Sequence, residues 1–315
     1  MSGREHFLAI SGGVGGAKLA LGLARVLAAD QLTVVANTAD DFEHLGLHIA
    51  PDLDTVMYTL AGINNSQQGW GLEGESWQML EALQVLGGET WFRLGDRDLA
   101  THLYRSERLR EGESLSAVTA ELCRQLGIGQ RLLPMTDDPV RTVVHTDQGE
   151  LPFQHYFVRE QCRPAVSDFH FQGIEQARPQ RELLELLAGE TLAAIIICPS
   201  NPFVSVDPVL GLPGLKQAIM DSGAPVIAVS PIVGGIAIKG PAAKMMAELG
   251  LPVTAAAVAR HYTGLVNSFV LDEGDATLAP EIEDLGMNVE LAPTIMKTLA
   301  DREQLARRVI ELAKV

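Results

Sequence analysis

The sequence predicts a doubly wound α/β fold with a mostly parallel sheet and a largely helical insertion. Three observations predict it. A short apolar strand runs into a glycine turn, a helix and a second apolar strand within residues 7–37, and the same grammar returns after residue 193. Hydrophobic residues make up 47 % of the 315 and charged residues 20 %, enough apolar content to cover a sheet on both faces.

Each element follows from local pattern. Phe7–Ser11 is a continuous apolar run, as expected of a strand buried on both faces. Ser11–Gly16 is a turn, and Ala17–Ala29 carries apolar residues at helical spacing. Leu32–Asn37 is a valine-rich second strand. Asp54–Ala61 and Ser76–Leu86 read as helices, and 91–110 is a mixed segment dense in charge. Ser114–Leu126 reads as a helix with Ser114 as its N-cap. Arg141–Thr146 and Leu151–Val158 alternate around Asp147-Gln148-Gly149, a hairpin signal at a sheet edge or in an appendage. Ala193–Cys198 and Pro225–Ser230 are apolar strands, with helices near Pro213–Asp221, Pro241–Glu248 and Asp301–Ala313. Internal repeats and a Pro/Ser-rich linker are both missing. The reading is one domain over 1–315, with an insertion over roughly 60–190.

Charge narrows the function. A net charge of −16 argues against nucleic acid or an acidic membrane as partner. The first apolar run is too short for a signal peptide, and no run approaches the ~20 residues of a membrane span, so a cytoplasmic protein is expected. Cys123, Cys162 and Cys198 lack metal or disulfide spacing and read as reduced thiols. An anionic small substrate remains admissible if backbone N–H groups, local cations or a metal receive it.

Candidate site residues gather at strand ends, where doubly wound sheets bind ligands. Gly12, Gly13, Gly15 and Gly16 let the backbone approach an anion at a helix N-terminus, with Lys18 in the first turn; an ordinary tight turn is the alternative. The loop matches neither the Walker pattern nor the dinucleotide fingerprint, and no lone acid ends the second strand, which argues against an NAD-dependent dehydrogenase. Asp40, Asp41 and Asp54, with Asp52 nearby, are hard oxygen ligands suited to Mg²⁺ and phosphate oxygens, and one such carboxylate can orient or deprotonate a hydroxyl; helix capping is the alternative for Asp52 or Asp54. Trp91, Arg93, Asp96 and Arg97 fall within eight residues, where arginine forks fit phosphate and aromatics stack on flat rings; a surface ion-pair cluster is the alternative. Ser200, Asn201, Ser230, Gly234 and Gly235 form two rigid polar loops suited to a base edge or a phosphate, and Lys239 precedes a helix that starts with Pro. His44 and His48 stand four apart with nothing to complete a zinc site. With no G-x-S-x-G elbow or Cys/His arrangement, covalent catalysis is not expected.

In combination these segments resemble the 2-phospho-L-lactate transferases of coenzyme F-420 biosynthesis. The likeness runs nearly end to end: Gly12–Lys18, Asn37–Phe42, Pro51–Thr55, Trp91–Leu99, Pro134–Asp137, Pro199–Pro202, Ser230–Gly235 and Lys239–Lys244. The resemblance implies a donor in which a phosphorylated small acid is joined to GMP through a diphosphate. It implies FO, a deazaflavin with a ribityl chain, as acceptor. It also implies Mg²⁺ dependence and a homodimer. Asp54 and Arg93 take the FO-contacting positions, and the glycine, Pro-Ser-Asn-Pro and Ser-Pro loops take the nucleotide side. The implied step is attack of the terminal ribityl hydroxyl on the phosphorus bearing the acid, with GMP leaving; Asp54, Asp41 and Arg93 are the catalytic candidates. Phospholactate, phosphoenolpyruvate and 3-phosphoglycerate all remain open as the donor acid. The alternative is a non-catalytic regulator of the same core that binds nucleotide sugars. The Trp91–Leu99 segment favours the transferase, because a binding-only protein need not hold a second, flat substrate.

Overall fold

The sheet assembles around its first strand. In the computed structural model, which describes residues 5–238 and 240–314, β1 (His6–Ser11) sits inside a sheet of seven parallel strands. The others are β2 (Leu32–Ala36), β3 (Arg131–Pro134), β4 (Leu192–Ile197), β5 (Val226–Val229), β6 (Ser268–Asp272) and β7 (Asn288–Ala292). Their order is β3-β2-β1-β4-β5-β6-β7. This is the doubly wound order with one strand added at the far edge.

The continuous apolar runs are explained by the two faces. Leu8 and Ile10 of β1 join Val35, Ile195 and Ile197 in one core. Phe7 and Ala9 join Val34 and Ile196 in the other. Alternate residues of one strand thus feed opposite cores, so its middle, Phe7–Ile10, is apolar throughout. The second core is closed by α1 (Gly13–Val26), α2 (Pro51–Ala61) and a C-terminal helix, Leu299–Leu312. α1 lies so close to the last of these that a side chain on Gly22 would collide with the Arg302 carbonyl.

Four features differ from the sequence reading. α1 begins at Gly13 rather than Ala17: its glycines enter the helix because loop and helix are clamped by the neighbouring strand end. β3, β6 and β7 were not expected, being short or edge strands with few apolar residues. β3 falls inside 60–190, so that stretch completes the main sheet as well as inserting into it. The hairpin is the core of a three-stranded antiparallel sheet, with Arg141–Thr146 between Gly149–Pro152 and Val166–Gln172. The strand expected through Val158 stops at Pro152, which has no N–H to offer; the chain then turns helical and buries Phe153 and Tyr156, three apart.

Other helices of this stretch include α3 (Gln78–Val85), α4 (Asp98–Arg110) and α5 (Leu115–Gln125). Ser114 caps α5 as expected, accepting from the Ala117 N–H at 3.2 Å.

Candidate active site

The chain leaves β1 toward β2 on one side and reaches β4 on the other, and a crevice opens between these strand ends. The two ends are clasped. Ser200 Oγ accepts from the Gly12 N–H at 3.0 Å and donates to the Gly12 carbonyl at 2.8 Å. Such contact leaves no room for side chains: a Cβ on Gly15 would collide with the Pro199 carbonyl, and one on Gly16 would lie 2.5 Å from the hydroxyls of Ser11 and Ser200. The crevice is a cavity of about 650 Å³, a size that suits a small-molecule substrate. Gly12–Gly15, Lys18, Ser200 and Asn201 line one part of it, and Trp91, Phe92, Arg93, Tyr58 and His102 line another.

Two carboxylates stand by the glycine loop. Asp52, in the first turn of α2, accepts from Asn37 Nδ2 at 3.0 Å. Its Oδ2 lies 2.7 Å from where a Cβ on Gly12 would sit. Burial pushes Asp52 up to about 6, against the lowering effect of the Asn37 amide and the Gly13 N–H. Asp40 is also buried, with no hydrogen-bond partner for Oδ1. Burial, and then the charge of Asp52, hold it well above the usual carboxylate range. Both line the cavity.

A second polar group is built between α2 and α4. Arg105 is fully buried and grips Asp54 with both Nη groups, Nη1 donating to Oδ2 at 3.0 Å and Nη2 to Oδ1. His102 Nδ1 lies 3.7 Å from Asp54, and its Nε2 lies 3.3 Å from Asp98. Tyr58 donates to Asp98 at 2.6 Å. Burial raises Asp98, but the His102 and Tyr58 hydrogen bonds outweigh it and hold the carboxyl below its ordinary value. This assembly gives the cavity a charged wall in which the Asp54 carboxylate is held by both Nη groups of Arg105.

Beside it lies an aromatic wall. Phe42, His44, Trp91 and Phe92 pack edge to face or tilted, with centroids 4.9–6.1 Å apart. Arg93 is exposed and stacks over the Trp77 ring at 4.2 Å. Phe153 and Phe157 stack at 13° and line the cavity from the antiparallel appendage.

The family model for 2-phospho-L-lactate transferase CofD matches residues 7–311. This chain belongs to the CofD family. A phosphoenolpyruvate transferase of Streptomyces griseus is 42 % identical, with 98 % of each chain covered. A 2-phospho-L-lactate transferase of Methanosarcina acetivorans is 39 % identical, covering 96 % of this chain and 97 % of its own. Among solved structures, a UPF0052 family protein of Bacillus halodurans superposes with a TM-score of 0.63 at 14 % identity, covering 98 % of this chain and 99 % of its own, a likeness of fold alone. As a CofD member the chain is a transferase, and the binding-only alternative is set aside.

The CofD site gathers most of the candidates, but their surroundings assign several to other work. Gly12, Gly13, Gly15, Lys18, Asp40, Asp54, Trp91, Arg93, Ser200, Asn201 and Ser230 line the cavity. Gly16, Asp41, Asp96, Arg97, Gly234 and Gly235 do not. Asp41 is buried against His48 Nε2 at 3.0 Å. Asp96 accepts from Ser76 Oγ at 2.6 Å and from the N–H groups of Gln78 and Met79, so it caps the start of α3. Arg97 donates to the Glu73 carbonyl at 2.7 Å. Gly234 turns a short hairpin and donates to Asp275 at 2.9 Å. Ser230 spends its hydroxyl on Ile232 in a local turn. Asn201 Oδ1 accepts from the Phe203 N–H at 3.0 Å, and its amide NH₂ donates to Met245 Sδ at 3.8 Å. Lys239 lies outside the described residues. Asp52, named from the sequence only beside the other aspartates, lines the cavity, as do Tyr58 and His102, which the sequence reading did not name; nor did it name Arg105 behind Asp54. The helical spacing of Asp98, His102 and Arg105, which shares one face of α4, was the available signal.

Proposed function

We propose that the chain transfers a phospho-acid from a guanylylated diphosphate donor to the terminal ribityl hydroxyl of FO in coenzyme F-420 biosynthesis. The observation that carries the proposal is one cavity with two unlike walls, a glycine loop at the N-terminus of α1 and an aromatic wall beside the Asp54–His102–Asp98 assembly. The first suits an anionic nucleotide and the second a flat, largely uncharged ring with a polyhydroxyl tail.

In the proposed step the hydroxyl oxygen bonds to the phosphorus carrying the acid and loses its proton to solvent by way of Asp54, the bond from that phosphorus to the bridging oxygen breaks, GMP departs with that oxygen, and a phosphodiester remains. The chain's part is mainly to position and to neutralise charge. Gly13 and its neighbours present N–H groups to the nucleotide phosphate. Lys18 is held over the same end by its bond to the Met296 carbonyl at 3.0 Å. Asp54, clamped by Arg105, is a fixed hydrogen-bond acceptor for the ribityl hydroxyl. Arg93 reaches the acceptor's polar edge or the transferring phosphoryl group.

The family's implied Mg²⁺ fits, with a change of ligands. Among the described residues no group of three or more His, Cys, Asp or Glu converges as a metal cage. Mg²⁺ needs only one or two carboxylates plus phosphate oxygens. Asp40 and Asp52, which line the cavity, are better placed for this than Asp41, which does not, or Asp54, whose two oxygens are already paired with Arg105. When bound, the ion would neutralise charge on the donor diphosphate.

The proposal includes a cytoplasmic setting and a homodimer. No helix among the described residues is long and apolar enough to cross a membrane. Sedimentation at micromolar concentration tests the dimer. The deciding experiment incubates the protein with FO, Mg²⁺ and each guanylylated acid, followed by mass analysis. Phosphoenolpyruvate is the first acid to try, because relatives named for it reach 42 % identity. Absence of any FO phosphodiester with all three donors would sink the proposal.

A further inference from the structure

We infer that Asp52 is a built-in anion that occupies the N-terminus of α1 in the empty protein and makes donor phosphate binding conditional on a divalent cation. The inference rests on the donor reading given under Proposed function. It begins from a gap in α1 itself. That helix has no acidic residue in its first turn, and its N-cap, Gly12, has no side chain to accept a hydrogen bond. A helix start of this kind attracts negative charge. The charge arrives from α2: Asp52 Oδ2 lies 2.7 Å from the position of a Cβ on Gly12, and Oδ1 lies 3.8 Å from that on Gly13.

The carboxylate is held there from two sides. Asn37 Nδ2 donates to Asp52 Oδ2 at 3.0 Å and to the Val204 carbonyl at 3.2 Å, while Asn37 Oδ1 accepts from the Ala39 N–H at 2.9 Å. Every polar atom of the Asn37 side chain is therefore engaged, and its orientation is fixed. Ser205 closes the other side, with its Cβ 2.6 Å from the same Gly12 Cβ position. Asp52 is only 8 % exposed, so it does not swing freely into solvent.

The neighbourhood adds a buried carboxyl with an open oxygen. Asp40 is 5 % exposed, and its Oδ1 has no hydrogen-bond partner. The buried cation Arg105 gives both Nη groups to Asp54. A diphosphate entering the loop alone therefore meets a carboxylate at the Gly13 N–H. A divalent cation shared between Asp52, Asp40 and the phosphate oxygens turns that repulsion into a bridge. Asp52 thus excludes metal-free nucleotide and admits the metal complex.

The test is calorimetric titration of GDP into the parent, Asp52→Asn and Asp52→Ala, each with Mg²⁺ and with excess chelator. Circular dichroism confirms the fold, and Ala serves if Asn does not fold. The parent is expected to lose at least about 30-fold in affinity on chelation. At least one variant is expected to bind GDP about tenfold more tightly than the parent in chelator, with a Mg²⁺ effect reduced to about threefold or less. A merely structural Asp52 would give variants that bind more weakly in both conditions, and that result overturns the inference. Equal affinities of parent and variants in chelator also overturn it while leaving the donor reading intact. If GDP binds none of the proteins in either condition, the donor reading fails and takes the inference with it.

Discussion

At the residue scale, the site stores unfavourable electrostatics in Asp52. Its ordinary value is 3.8, and burial lifts it to about 6. A raised carboxyl keeps its proton in the native state at pH values where the unfolded chain has released it. The contribution of Asp52 to stability is therefore fully present below about pH 4 and is lost as pH rises to about 6, by up to about 3 kcal/mol at 1.36 kcal/mol per unit. Without divalent cation, Asp52→Asn should gain stability relative to the parent over that window, read as the difference in urea midpoints. A flat difference would mean that Asp52 does not titrate there. Gly15 makes a separate prediction. Its missing side chain faces the Pro199 carbonyl and not the cavity. Gly15→Val should therefore lower the melting temperature, through overpacking of about 1–3 kcal/mol or more, rather than only block phosphate approach. An unchanged melting curve with lost GDP binding would restore the simpler view. The sequence showed that this loop needs glycine. It did not show that β4, 188 positions away from Gly12 at Ser200, is what needs it. Asp54 and Arg93 were legible as site residues because they stand in dense motifs. Arg105 was not, because an arginine in a charged helix ordinarily faces water.

At the scale of elements, α2 and α4 act as one unit through the Arg105–Asp54 pair. Arg105→Met should destabilise the protein by about 3–5 kcal/mol, because Asp54 is left charged and buried. Urea unfolding measures it, and a loss under about 1 kcal/mol would show that water or another cation replaces the guanidinium. The loop before α4 predicts the opposite pattern. Arg93 is exposed and stacked on Trp77, so Arg93→Ala should spare stability and lower the rate with FO. GDP affinity should stay within about threefold, or about 0.7 kcal/mol. A large loss of GDP binding would move Arg93 to the donor side. The elements read correctly from sequence, β1, β2, β4 and β5, are those buried on both faces and therefore continuously apolar. β3 has two leucines between arginine and proline, and β7 alternates with charge because one edge meets solvent. β6 offers only Phe269-Val270-Leu271 as an apolar run. Such segments become strands because the sheet beside them is already built, a tertiary effect that local pattern does not carry.

For the whole molecule, the net charge of −16 sets the approach of an anionic donor. Raising ionic strength from about 0.01 M to about 0.15 M shortens the screening length from about 30 Å to about 8 Å. The association rate of Mg²⁺-bound GDP should rise over that range in stopped-flow measurements, because long-range repulsion is screened while contacts inside the cavity are not. A falling rate would mean that the field at the cavity mouth is positive despite the total. The β1–β4 clasp also governs how the protein comes into being. The glycine loop leaves the ribosome long before Ser200, its fastener, and before the β4 strand that pairs with β1. The N-terminal strand–loop–helix must wait for most of the chain to be made, a high-contact-order arrangement that slows folding and leaves apolar strands exposed in the interval. Nascent chains arrested before residue 200 should be sensitive to protease and unable to retain nucleotide, while chains released past β7 become resistant together with gaining the site.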